Sequence, residues 1–170
     1  MKITKQQLIE LNACERGLER FIEQTDDTDK PVEIVSLIGG ENTIGDLTWL
    51  AGKICDKKDI IKFVCKCALI NIELIKPYTD KYDLIVGFLN NPFDDTRFDV
   101  RTAYATRTAA FSVRNVDSTS YTVRNAAFSA FYAADFSVRN SVDNAVVYAI
   151  HSNLKSKPIV DQYLKELFTK

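Results

Sequence analysis

An all-α fold is what this sequence predicts: a single-domain bundle of about seven helices whose tail is an Ala/Ser/aromatic-rich helical hairpin. Three observations carry the prediction. Apolar residues recur at three- and four-residue steps in the first segment and its successors. Residues 93–157 contain neither glycine nor proline to interrupt a helix. The composition, 46% hydrophobic and 26% charged, is that of a chain that packs a core. At 170 residues the chain fits one domain, long enough to bury about two-thirds of the surface of its unfolded form, so no disulfide or metal staple is required. The expected domain covers residues 1–170, an acidic helical part to residue 92 and a mildly basic hairpin with a C-terminal helix over 93–170.

The first helix is expected in "TKQQLIELNACERGLERFIEQ", where Leu8, Leu11, Cys14, Leu18, Phe21 and Ile22 share one face. The acidic "TDDTDK" closes it, and Pro31 suits the first turn of a short helix, "PVEIVSLI", that ends at Gly39 and Gly40. A third helix over 44–55 buries Leu47, Leu50 and Ile54, with Trp49 a further candidate. Asp56 then caps the next helix by accepting from the amide of Asp59. That helix runs over 57–75 to the stop at Pro77; apolar on most sides, it belongs at the centre of the bundle. "KYDLIVGFLNNP" makes one more short helix.

The tail predicts two antiparallel helices, over about 101–115 and about 121–152, with a turn near 117–120 where Ser, Thr, Asn and Asp compete for the backbone. In the longer one Ala126, Ala130, Ala134, Ala145 and Ala149 fall on nearly one line, with Val138 and Val142 between them. Small side chains on one face let helices approach closely. Val-Arg-Asn occurs three times, ending at Asn115, Asn125 and Asn140. Along one helix Arg124 and Arg139 would stand about 22 Å apart on a broad shared face. Asp135 and Asp143, four residues either side of Arg139, and Asp117, three beyond Arg114, offer local ion pairs.

Charge narrows the function. Lys and Arg total 22 against 23 Asp and Glu, a net charge of −1, which argues against a nucleic-acid backbone binder. The first 100 residues hold 13 basic and 18 acidic side chains and the remainder 9 and 5, an asymmetry able to orient a partner. The start, "MKITKQQLIE", has no secretory pattern, and no stretch approaches the roughly 20 apolar residues of a membrane span. A cytoplasmic protein with reduced thiols is expected. Cys65 and Cys67, with one residue between them, point about 200° from each other on a helix and cannot share a metal, so they read as buried small hydrophobes.

No catalytic pattern emerges. His151 is the one histidine and, near a helix end, suits terminal carbonyls better than acid–base work. Carboxylates at Asp26 to Asp29 and at Asp94, Asp95 and Asp99 lack calcium-loop spacing. The expected function is therefore non-catalytic binding without a cofactor, and the expected contacts with a protein partner are Arg114, Asn115, Arg124, Asn125, Arg139 and Asn140. The alternative is a small-molecule binder, nucleotide or metabolite, with Tyr104, Tyr121, Tyr132 and Tyr148 lining a cleft and Arg124 or Arg139 meeting a phosphate.

"LIELNACERGLERFIEQ", followed by "GDLTWLAGKICDKKDIIKFVCKCALINIELIKPY" and the Ala/Ser/Tyr-rich tail, resembles helical proteins of bacteriophages and the immunity-5-like group of immunity proteins. The matching pieces are residues 11–21, 47–50, 65–77 and 101–152. The resemblance implies a phage or mobile-element origin in a bacterial host cell. It also implies stoichiometric action on another protein, a toxin or a host defence factor, with no catalytic residues.

Overall fold

The computed structural model describes residues 1–93, 121–134, 141–152 and 155–170. Its elements are a strand β1 (Lys2–Ile3), helices α1 (Lys5–Glu10) and α2 (Glu15–Thr25), a strand β2 (Val32–Glu33) and a 3₁₀ turn (Ile34–Leu37). Helix α3 (Ile44–Ile54), α4 (Lys57–Leu69), a second 3₁₀ segment (Ile72–Tyr78) and α5 (Tyr82–Asn90) follow. Then come α6 (Tyr121–Ala134), α7 (Ser141–Ser152) and α8 (Ser156–Phe168). The fold is all-α, with one two-stranded antiparallel ribbon that pairs Lys2 with Glu33 and Ile3 with Val32.

The first predicted helix is two. Asn12 adopts a left-handed backbone, φ 61°, and the amide of Ala13 reaches back to Leu8 O at 2.9 Å. That is the hydrogen bond of a helix stop, and asparagine is one of the few residues that tolerate the conformation. Leu8 and Phe21 still reach one core, but from two helices set at an angle by the break. The predicted "PVEIVSLI" helix is also corrected. Its β-branched Val32 extends to pair with the N-terminal strand, and only Ile34–Leu37 coils, as a 3₁₀ turn.

Helix α3 begins on a capping box in which the Thr43 side chain takes the Asp46 amide and the Asp46 carboxylate takes the Thr43 amide. Asp56 caps α4, although it accepts from the amide of Lys58 rather than Asp59. Helix α4 lies at the centre, against α3, α5, α6, α7 and α8. It stops at Leu69 instead of continuing to 75. Pro77 cannot donate and its ring crowds the preceding turn, so the chain winds as 3₁₀ through 72–78. Asn71 at the join turns its amide away, donating to Ala149 O at 3.1 Å and Ser156 Oγ at 2.9 Å.

The predicted 121–152 helix is likewise replaced by two, α6 and α7, packed side by side. Ser129 Oγ donates to Ala145 O at 2.7 Å, and the Phe128 and Tyr148 rings stand 5.4 Å apart. In one continuous helix sixteen residues would separate such groups by about 24 Å. The line of small residues survives the correction: Ala126, Ala130, Ala134, Ala145 and Ala149 are all buried. The predicted 101–115 helix and its turn lie outside the described residues. Cys65 and Cys67 are buried, as their apolar neighbours imply. Burial pushes the Cys65 thiol up to about 12 and the Cys67 thiol higher still. Among the described residues no helix is long and apolar enough to cross a membrane.

Candidate functional site

The break at Asn12 opens a cleft. Residues of α1, α2 and the turn between them line one side of it and the start of α3 the other, around a space of about 230 Å³. Leu8, Phe21, Leu47 and Leu50 line its depth, while Asn12, Cys14, Asp46 and Trp49 stand around it. Asn12 and Cys14 are exposed and Trp49 is half-buried, with Lys53 Nζ 5.7 Å from the centre of its ring. Gly17 keeps the space open. A side chain there would begin 3.1 Å from Asp46 Oδ1 and 3.4 Å from Cys14 Sγ.

One ion pair braces the cleft. Arg20 Nε donates to Asp46 Oδ2 at 2.8 Å and its terminal nitrogen to Oδ1 at 2.7 Å, a fork-to-fork contact between α2 and α3. The Thr43 amide and hydroxyl also reach Oδ2, at 2.8 and 2.7 Å. Burial pushes the Asp46 carboxyl up, but the Arg20 guanidinium and the Thr43 donors outweigh it and hold the group below its ordinary value. Asp46 is therefore an anion already served by four donors. It offers no free charge to a ligand, and what the cleft presents is an apolar floor with neutral amide groups at its edge.

The residues expected from the sequence to meet a partner fall elsewhere. Asn125 is a correction: it lies on the packed side of α6, 2% exposed, with its side-chain nitrogen sealed from solvent. A position next to buried Ala126 and one turn before buried Ser129 cannot present its amide outward. Arg124 belongs to α6, but its side chain, and all of Arg114, Asn115, Arg139 and Asn140, lie outside the described residues. The pairing of α6 with α7 also removes the single continuous helix on which the 22 Å spacing of Arg124 and Arg139 rests. Of the four tyrosines considered for a ligand, Tyr104 lies outside the described residues and Tyr121 is exposed. Tyr132 and Tyr148 stack on each other at 5.6 Å, 4° from parallel. Their faces are spent on packing the hairpin.

Sequence reading did not single out the Arg20–Asp46 brace or Gly17. One signal was present, the Thr-x-x-Asp spacing of "TIGD", which is the pattern of a helix start whose acidic side chain is fixed in place. Arg20 and Asp46 stand 26 positions apart, too far for a local signal. No protein-family model, curated protein or solved structure matches the chain.

Proposed function

We propose that this is a non-catalytic binding protein that acts stoichiometrically on a protein partner by holding one apolar side chain of that partner in the α2–α3 cleft. The observation that carries the reading is the cleft itself: a preformed apolar floor whose ion pair, Arg20 with Asp46, is internally satisfied. Such a surface selects an uncharged apolar group. Its volume, about 230 Å³, is below the about 300 to 1,000 Å³ of ordinary small-molecule sites and suits a single large side chain on a partner's surface. The resemblance to phage and immunity proteins supports a toxin or a host defence factor as that partner, met in the cytoplasm of a bacterial cell.

Cys14 supplies the test. It is the exposed cysteine and borders the cleft, whereas Cys55 is half-buried and Cys65 and Cys67 are buried, all three with thiols raised by burial. A bulky maleimide added to the folded protein should therefore label Cys14 and obstruct the cleft. Labelled and unlabelled protein, matched by circular dichroism, are offered to the same bacterial lysate and the bound proteins are quantified by mass spectrometry. The expected result is a protein held in about one-to-one amount by the open cleft and lost, by about tenfold or more, from the obstructed one. Equal capture by both forms sinks the proposal.

A further inference from the structure

A second cleft, about 490 Å³, lies between the 39–45 loop, the last turns of α7 and the start of α8. Ile44, Leu47, Val147 and Ile150 give it an apolar wall, and the ionisable groups that border it are Glu41, His151, Lys157 and Asp161. Its loop is held in shape from behind. Gln24 Oε1 accepts from the amide and the side chain of Asn42 at 3.1 and 2.9 Å, and Gln24 Nε2 donates to Ser36 O at 3.0 Å. Gly40 permits that fit, because a Cβ there would come within 2.3 Å of the Gln24 amide. The cleft is thus preformed, and its size falls within the small-molecule range of about 300 to 1,000 Å³.

Its chemistry is set by one carboxylate. Asp161 is mostly buried, 19% exposed. Its Oδ2 accepts from Lys157 Nζ at 2.9 Å, whereas its Oδ1 is sealed from solvent and meets no donor among the described residues. A buried carboxylate oxygen without a donor is costly, and the one partner it has is a weak one. Lys157 lies a single helical turn away on a side chain that is 52% exposed, the kind of surface pair that exchanges readily with another cation.

We propose that this cleft binds a small aliphatic ammonium compound. The ligand's ammonium takes the place of Lys157 on Asp161 Oδ2, and its hydrocarbon part lies on Ile44, Leu47, Val147 and Ile150. Lys157 then acts as the built-in competitor, a four-carbon stem ending in an ammonium that occupies the site when no ligand does.

The probe is n-pentylamine, titrated by calorimetry and by amide chemical shifts into the folded protein, with n-pentanol as the neutral control. The expected result is saturable binding of the amine but not the alcohol, tightened about tenfold in Lys157→Ala and weakened about tenfold or more in Asp161→Asn. Because Lys157→Ala removes only an exposed side chain, it keeps the test intact if Asp161→Asn fails to fold. Absence of binding to both the parent and Lys157→Ala overturns the proposal. So does equal binding of amine and alcohol, or unchanged affinity in a folded Asp161→Asn. A blocked lysine peptide that binds more tightly than n-pentylamine also overturns it, by reassigning the cleft to a partner's lysine.

Discussion

At Asp46 one carboxylate accepts four hydrogen bonds, two from Arg20 and two from Thr43, and so fixes the start of α3 and its angle to α2 together. Its folded pKa is depressed below the ordinary 3.8. A depressed carboxyl contributes stability that is fully present above the unfolded pKa and lost as pH falls through the folded one. Asp46→Asn keeps the shape and removes the charge, so it should cost about 2 kcal/mol at pH 7, chiefly in charged hydrogen bonds. The gap between parent and variant should then close as pH is lowered below 3.8. Urea midpoints at pH 7, 4 and 3 check this. A gap that stays constant with pH would mean that the loss comes from an amide donor set against the donors of Arg20 and Thr43, not from the missing charge.

Among the elements, the end of α4 rests on Asn71. Its buried amide reaches Ala149 O in α7 and Ser156 Oγ in α8, so a single side chain ties the central helix to two others where the helix stops. Asn71→Leu would remove both bonds while keeping volume, and should lower stability by about 2 to 4 kcal/mol, measured by chemical denaturation; a loss under about 0.5 kcal/mol would assign the stop to Pro77 alone. These breaks mark where sequence reading runs out. The bodies of α3 and α5, the cap at Asp56, the burial of Cys65 and Cys67 and the small-residue line of α6 and α7 were legible, because each depends on spacing within one turn or one face. Asn12 and Asn71 were not. An asparagine is tolerated inside a helix pattern: at Asn71 its partners in other elements decide the break, and at Asn12 a left-handed backbone that spacing alone does not signal. The α2–α3 cleft was illegible for the same reason, since it exists only because α1 stops at Asn12 and Arg20 finds Asp46.

At the scale of the molecule α4 is the shared surface. The N-terminal layer meets it through α3, the hairpin through α6 and α7, and the C-terminal helix through α8, where Lys66 Nζ pairs with Glu166 at 2.9 Å. Helix α3 also touches α7 and α8 directly. Buried side chains from every one of these layers, Phe21, Leu47, Phe63, Ala130, Val146 and Leu164 among them, belong to one continuous core. A core with no seam should melt as a unit. Trp49, the one tryptophan, sits in α3 and reports the N-terminal layer by fluorescence, while far-ultraviolet circular dichroism reports all the helices. Their urea transitions should therefore coincide in midpoint and slope. A loss of ellipticity that precedes the Trp49 change would show instead that the α6–α7 hairpin opens by itself. In that case the alanine packing of the hairpin on α4, with little apolar area per residue, is the weak joint of the fold.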